Sequence, residues 1–412
     1  MIPIEIEELR SLGLGVLEGE GTVTGLTIDS SLARSGDLFV AVRGGREFVA
    51  SARRQGAATL VPDDEHATLA AIGRVLRDRS AARVVGITGS TGKTSTKDIL
   101  AALCAPVVRT VATEASYNAE LGVPLTLGRL ETDTELCLVE MGMRGFGQIA
   151  ELCAIARPDV GIITAVGPVH LELVGSVEGV ARSKAELVQA LPEKGIAVVP
   201  VSTELEPYLP AGIDLRRVEE VDVDLRHDGA HVAFGGGRIR FPLTSRHQAQ
   251  NALTALVAYE ALGLPIDRLQ EGADTVELSR WRGEELPLAG GGIVVNDAYN
   301  ANPTSMRAAL EHLALRGNGR RLVAILGGMA ELGGHAERYH RELGELAREL
   351  GIEVLAVGEL ARGYGADVWV PDAESATAAA RELVRPGDAV LVKASRAVGL
   401  EGIAPALAND SS

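Results

Sequence analysis

Between Gly86 and Ser95 the chain reads Gly-Ile-Thr-Gly-Ser-Thr-Gly-Lys-Thr-Ser. Glycines let a backbone curl until its N–H groups converge on one point, and the first turn of a following helix adds the positive end of its dipole. A phosphate is the natural occupant of such a loop. Lys93 stands where an ammonium reaches the β- and γ-phosphates of a nucleotide, and Thr94 where a hydroxyl ligates Mg²⁺. The longer phosphate-loop spacing wants glycine at position 87, where the chain has Ile87. The match is to the shorter form, Gly89-Ser90-Thr91-Gly92-Lys93-Thr94, with Ser95 behind it. Glu140, the last residue of the apolar run Leu136-Cys-Leu-Val-Glu140, is a second chemical feature. A carboxylate at the carboxyl end of a buried strand lies where ligands gather in α/β sheets, and its hard oxygens suit Mg²⁺. Residue usage supplies a third: there are 5 lysines (Lys93, Lys97, Lys184, Lys194, Lys393) against 35 arginines. Where a bare positive charge serves, this chain uses Arg. Its few lysines therefore include positions where a guanidinium, which keeps its proton, does not serve.

These residues need strands and helices to hold them. Val84-Val-Gly-Ile-Thr88 reads as a buried strand leading into the loop, and Lys93–Cys104 as the helix after it. Leu136–Glu140 and Val160–Thr164 are further apolar strands, with helices near Gln148–Ile155 and Val177–Leu191. Strands alternating with helices imply a parallel sheet covered on both faces. Before this lies a first unit, with strands at Asp37–Arg43 and Thr59–Val61 and helices at Val49–Gln55 and Asp63–Ala82. Residues 221–243 alternate about Asp228-Gly229, a hairpin signal, and a helix follows over His247–Leu262. From Ser279 the pattern is again open α/β: strands at Ile293–Asn296, Leu322–Leu326, Val354–Val357 and Ala389–Val392, helices near Ser305–Leu315, Ala336–Leu350 and Ser375–Leu383. Asn409-Asp-Ser-Ser412 reads as a tail. The expected architecture is α/β in three domains: a small N-terminal α/β domain (1–83), a central phosphate-loop ATPase domain with a parallel sheet (84–278), and a C-terminal Rossmann-like domain (279–412).

Composition narrows the class. A chain of 412 residues with 46% hydrophobic and 23% charged residues is that of a folded globular protein. A formal charge of −16 opposes non-specific binding to nucleic acid, whose backbone is polyanionic. Cys104, Cys137 and Cys153 are odd in number and lack metal-ligand spacing, which fits reduced thiols in a cytoplasmic protein. No segment reaches the roughly 20 apolar residues of a membrane span, so no membrane insertion is expected.

Several separated segments resemble the Mur ligase family, the ATP-dependent enzymes that build the peptide stem of peptidoglycan. In order they are the phosphate loop, Tyr117-Asn-Ala-Glu-Leu-Gly-Val-Pro-Leu-Thr126, Val139-Glu-Met-Gly-Met143, Pro158–Thr164 with His170-Leu-Glu172, Ser183-Lys-Ala-Glu186, and the helix carrying His247 and Asn251. Within the third unit, Asn296-Asp-Ala-Tyr-Asn-Ala-Asn-Pro303 with Ser305-Met306, Leu326-Gly-Gly-Met-Ala-Glu-Leu-Gly333 and Val392-Lys-Ala-Ser-Arg396 are similar to the MurF branch, which joins D-alanyl-D-alanine to UDP-N-acetylmuramoyl-tripeptide. The chain departs from the family pattern at Ser31, at Gly45-Arg-Glu-Phe48, and at Gln148, Gly328 and Ala394.

The resemblance implies a site. ATP would be held by Gly89 to Ser95, by Asn251 at the adenine, and by Arg282 and Asp297 from the third unit. Mg²⁺ would be held by Thr94, Glu140, His170 and Lys184, the lysine having added CO₂ to become a carbamate. Lys93, Lys184 and His170 would be the catalytic set. Asp29 and Ser30 would serve the UDP end of the substrate, and Tyr299, Asn300, Asn302, Lys393 and Arg396 the peptide end. Read as residues alone, Tyr299, Asn300 and Asn302 could equally cap a turn, and Lys393 and Arg396 could pair with acids. The implied partners are UDP-N-acetylmuramoyl-tripeptide and D-alanyl-D-alanine, met by a monomer through an acyl-phosphate intermediate. Two other readings stay open from sequence: a Mur-like ligase for another nucleotide-peptide or amino acid, and a nucleotide-binding switch without ligase chemistry.

Overall fold

The computed structural model describes residues 1–114 and 117–409. Its centre is a six-stranded sheet, all parallel, in the order Asp214–Val218, Ile196–Pro200, Val160–Ile163, Arg83–Thr88, Leu136–Glu140, Thr110–Ala112. Parallel strands buried on both faces read as continuous apolar runs, and Val84, Val85, Ile87, Leu138, Val139 and Ile162 are fully buried. Arg83–Thr88 lies between Leu136–Glu140 and Val160–Ile163. The chain leaves it toward one edge and returns to its other side, so its carboxyl end is a topological switch point, where open sheets bind ligands. Pairing of Ile87 with Glu140 and of Thr88 with Ile163 fixes what stands beside the Gly-rich turn.

The helix Lys93–Cys104 follows that turn and buries Ile99, Leu100, Leu103 and Cys104 against Leu256 and Tyr259 of the helix Arg246–Ala261. Ser245 caps the second helix by accepting from Gln248 N. Beside them, Val223–Arg226, Gly229–Phe234 and Gly237–Phe241 form an antiparallel sheet. The sequence predicts one hairpin here. A second is turned by Gly235 and Gly236, at φ +58° and +81°, whose side-chain-free backbone suits a primed turn.

A mixed four-stranded sheet forms the first unit, in the order Gly15–Glu18, Ala58–Pro62, Asp37–Val40, Gly25–Thr27. The helix Glu65–Arg79, capped by Asp64, joins it to the centre. Arg77 on this helix donates from Nε to Ala156 O at 2.9 Å. The last sheet runs Glu284–Leu288, Gly292–Asn296, Ala389–Lys393, Leu322–Gly327, Ile352–Val357, Val368–Val370, with only the first strand antiparallel. The two edge strands and the closing helix Ile403–Asn409 escape the sequence pattern. Edge strands are half-exposed and carry Glu284, Glu285, Pro287 and Trp369 in place of an apolar run. Asn409, read as tail, ends that helix; Asp410, Ser411 and Ser412 lie outside the described residues. Among the described residues no helix is long and apolar enough to cross a membrane. The three cysteines are free and buried, and burial pushes their thiols up to about 12.

Gly344 tests the packing of the third unit. An exposed mid-helix Gly→Ala change stabilises by about 0.5–1 kcal/mol. Here a Cβ would lie 1.9 Å from the Tyr364 carbonyl oxygen, so Gly344→Ala is expected to destabilise instead, by about 1–3 kcal/mol as overpacking does. Calorimetry or denaturant unfolding reads the sign directly.

Candidate functional site

The Gly-rich turn is held open by two close approaches. Gly89 has φ +153°, and a Cβ there would sit 1.9 Å from Thr164 Oγ1; Gly92 has φ +79°, and a Cβ there would sit 2.2 Å from Asn251 Oδ1. Thr164 in turn lies 2.5 Å from the Thr91 carbonyl and 3.2 Å from that of Thr88. Ser90 is pinned to the neighbouring loop through Gly167, at 3.0 and 3.1 Å. The helix Lys93–Cys104 begins at Gly92 with no side-chain cap, so its first amides and its dipole face the turn.

Positive groups gather around this turn. Lys93 folds back to donate to Gly89 O at 2.8 Å. Burial holds its amine below the ordinary lysine value, opposed by Glu140 and reinforced by Arg282. Arg282 comes from the start of the third unit. Its Nη2 donates to Thr94 Oγ1 at 2.8 Å, its plane stacks 4.0 Å over the Tyr299 ring, and its Nε is buried without a partner. Lys184 is 2% exposed, and among the described residues nothing hydrogen-bonds or pairs with its amine. Burial first, and then the charge of Lys93, drives that amine well below the ordinary lysine range.

One acid faces these cations. Glu140 is 1% exposed; its Oε1 accepts from Asn118 Nδ2 at 2.8 Å, while Oε2 is buried with no partner among the described residues. Leaving a buried carboxylate oxygen unmatched is costly. A cation seated between it and the Thr94 hydroxyl would remove that cost. Among the described residues no three His, Cys, Asp or Glu side chains converge. A single carboxylate near a hydroxyl suits Mg²⁺, which takes one or two carboxylates and completes its shell with phosphate and water.

The third unit is docked on the loop. Asn302 caps the helix Pro303–Gly317, accepting from Ser305 N at 2.9 Å in a reciprocal capping box, and its Nδ2 lies 3.4 Å from Ser90 O. It is thus both cap and contact. Lys393, 2% exposed, pairs with Asp297 Oδ2 at 2.5 Å and donates to Asn300 O at 3.0 Å, which clasps the turn carrying Tyr299 and Asn302. Asp297 therefore meets a lysine of its own unit. Arg396 stacks 4.4 Å over Trp281 and pairs with Glu401 at 2.9 Å. His170, at φ +52°, is hydrogen-bonded through Nδ1 to Glu331 of the third unit, whose carboxyl it holds below the usual value. His247 stands edge-on to His312, ring centres 6.1 Å apart, and burial pushes it down to about 4.

Asp29 and Ser30 belong elsewhere. Asp29 accepts from Ser31 N and Oγ at 2.8 and 2.7 Å, and Ser30 O accepts from Gln55 at 2.9 Å, all within the first unit. Thr164, Asn118, Glu331 and the Asp98–Ser279 contact complete the arrangement without having been singled out in the sequence. Asp98 accepts from Ser279 N and Oγ at 2.9 and 2.8 Å and pairs with buried Lys97 at 2.9 Å, tying the start of the third unit to the phosphate-loop helix. No local spacing announces these partners, which lie 22 positions apart for Asn118 and Glu140 and more than 70 apart for the rest.

Residues 87–259 match the family described as Mur ligase middle domain, and residues 281–396 that described as Mur ligase, glutamate ligase domain. The UDP-N-acetylmuramoyl-tripeptide–D-alanyl-D-alanine ligase of Synechocystis sp. is 33% identical over 92% of this chain and 91% of its own length. The ligase of that name from Escherichia coli is 30% identical over 99% of both. Among solved structures, MurF from Acinetobacter baumannii matches with a TM-score of 0.85 at 26% identity over 99% of both chains. MurF from Thermotoga maritima in complex with ADP matches with a TM-score of 0.82 at 28% identity, over 94% of this chain and 98% of that one.

Gly89→Ala should keep the fold and weaken nucleotide binding. The substitution puts a Cβ against Thr164 at φ +153°, and such strain costs about 1–3 kcal/mol, so titration calorimetry with ADP should show about tenfold weaker binding or worse. Unchanged affinity would mean that the turn does not hold the phosphates.

Proposed function

This chain belongs to the Mur ligase family, and on that premise we propose how its own residues divide the work of one reaction. The enzyme joins D-alanyl-D-alanine to UDP-N-acetylmuramoyl-tripeptide at the expense of ATP, in the synthesis of peptidoglycan precursor. The observation that carries the division of labour is the meeting of Lys93, Thr94 and Arg282, from two units, on one phosphate loop beside a half-satisfied Glu140.

A carboxylate is a poor acyl donor because its leaving group would be oxide. Moving the ATP γ-phosphoryl group to the tripeptide's terminal carboxylate gives an acyl phosphate and ADP. The amine of D-alanyl-D-alanine then adds to that carbonyl carbon, and the tetrahedral intermediate expels phosphate and loses a proton. Positioning and charge neutralisation do most of this. The loop amides of Gly89 to Ser95 and the Lys93 ammonium hold the phosphates, and Arg282 meets them from the opposite side. Asn251, against Gly92, faces the nucleoside side of the loop. Asp297, held by Lys393, fixes the third-unit turn over the ATP. Thr94 and Glu140 Oε2 are the residues that fit Mg²⁺, with His170 and Lys184 behind them; the ion, when bound, offsets the phosphate charge.

Lys184 enters this set as an anion. Its amine is buried, unpaired and biased toward the neutral form, and a neutral amine adds to CO₂, releasing a proton to leave a carbamate of charge −1. That reverses the repulsion from Lys93 and supplies two oxygens, which Arg cannot do. The peptide end of the substrate is received by Tyr299, Asn300, Asn302 and Arg396, while Lys393, buried against Asp297, holds the turn that carries the first three; the UDP end is received by the first unit through Asp29 and Ser30. The protein acts as a monomer in the cytoplasm and binds no nucleic acid, a reading supported by its three buried thiols and its acidity.

Phosphate release from ATP should require UDP-tripeptide and D-alanyl-D-alanine together, and mass spectrometry should find the pentapeptide product. Lys93→Ala should lower turnover by about 10²-fold or more, as loss of a preorganised charge contact does, with an unchanged circular dichroism spectrum. ATP hydrolysis indifferent to both substrates would point to a switch instead.

A further inference from the structure

We infer that Glu331 is a positioning residue for His170, supplied across the interface by the third unit. This rests on the reading of His170 as a group that serves the metal of the bound nucleotide. A neutral imidazole carries its proton on one nitrogen and a lone pair on the other, and only the lone pair can hold a metal. Glu331 Oε2 and His170 Nδ1 are hydrogen-bonded. An ionised carboxylate only accepts, so in the neutral ring the proton sits on Nδ1 and Nε2 keeps its lone pair. In water the neutral ring prefers the opposite arrangement. A metal-ligating histidine is commonly fixed in this way by an outer carboxylate; here that carboxylate is carried by a different unit.

Glu331 is itself held firmly. Met329 N donates to His340 Nε2 at 2.9 Å, His340 being fully buried, and Ala330 N donates to Ser395 Oγ at 2.9 Å. Its second oxygen, Oε1, lies 3.4 Å from Arg144 Nε. One carboxylate thus spans the loop after the Glu140 strand and the loop after the strand Val160–Ile163. Glu172 N donates to Glu331 O at 3.3 Å. Both contacting residues are non-glycine in the left-handed region, Glu331 at φ +62° and His170 at φ +52°, a conformation that persists only where surroundings impose it and that clusters at functional sites. A solvent-exposed ion pair with no further role needs none of this construction and contributes little. The consequence is that His170 is correctly protonated only while the third unit is docked.

Long-range ¹H–¹⁵N spectra of histidine-labelled full-length protein, at alkaline pH and with His170→Gln to assign the resonance, read the tautomer directly. In the wild type the His170 proton is expected on Nδ1, and in Glu331→Ala on Nε2. Glu331→Gln, which keeps an accepting oxygen, should retain the Nδ1 proton and most of the activity. Glu331→Ala should lower kcat by about 10–100-fold, the usual loss for an outer partner, with KM for UDP-tripeptide unchanged. A wild-type proton on Nε2, or an Ala variant with unaltered tautomer and kcat, would overturn the inference. His170→Ala separates the two layers: if that variant is fully active, the metal role of His170 is wrong and the positioning role falls with it. If it is inactive while Glu331→Ala is normal, only the positioning role fails.

Discussion

Charge that cannot be buried alone governs this molecule. At the carboxyl end of one strand, the amines of Lys93 and Lys184 and the guanidinium of Arg282 crowd around a loop whose own amides are positively polarised. Glu140, the acid that acts on Lys93, has an oxygen that accepts from nothing among the described residues. Burying an uncompensated ion costs several kcal/mol. Such an arrangement is poor as a resting core and good as a receptor: a polyphosphate and a divalent cation together supply the countercharge that the protein withholds. On the proposed reading, the orphaned atoms of Glu140 and Arg282 are the two halves of an interaction that a ligand would complete.

The rest of the fold serves that imbalance. A switch point in the parallel sheet places the phosphate loop between Glu140 and Thr164, and two glycines let Thr164 and Asn251 press against its backbone. The third unit brings Arg282, Asn302 and Glu331 from the other side, and polar clasps tie it there: Asp98 on Ser279, Glu331 on His170, Asn302 on Ser90. Beside these clasps one buried apolar cluster runs on from Leu171 and Val174 of the central unit to Met329 and Leu332 of the third.

What the sequence discloses follows from the range of the interaction. The phosphate loop and its helix were legible because every atom that matters lies within ten residues and the spacing itself is the mechanism. The apolar strands were legible because doubly covered strands admit little besides Val, Ile and Leu. The edge strands Glu284–Leu288 and Val368–Val370 were not, since half-exposed strands tolerate Glu, Pro and Trp. Nor were Asn118, Thr164 and Glu331 visible as functional groups: each is an ordinary polar residue until the fold brings it to Glu140, the loop or His170. The rarity of lysine did point to Lys93 and Lys184, but equally to Lys97 and Lys393. Structure assigns those two to clasps with Asp98 and Asp297.

The least compensated element of this charge balance is Lys184, an amine that no described neighbour satisfies. If the site is completed as proposed, that amine exists as a carbamate in working enzyme. Carbon-13 NMR of the protein equilibrated with ¹³C-bicarbonate measures this without recourse to activity. One protein-bound carbamate resonance is expected in the wild type and none in Lys184→Arg. A wild-type spectrum without that resonance at saturating bicarbonate, or one that persists unchanged in Lys184→Arg, would contradict the conversion of this buried cation into an anion.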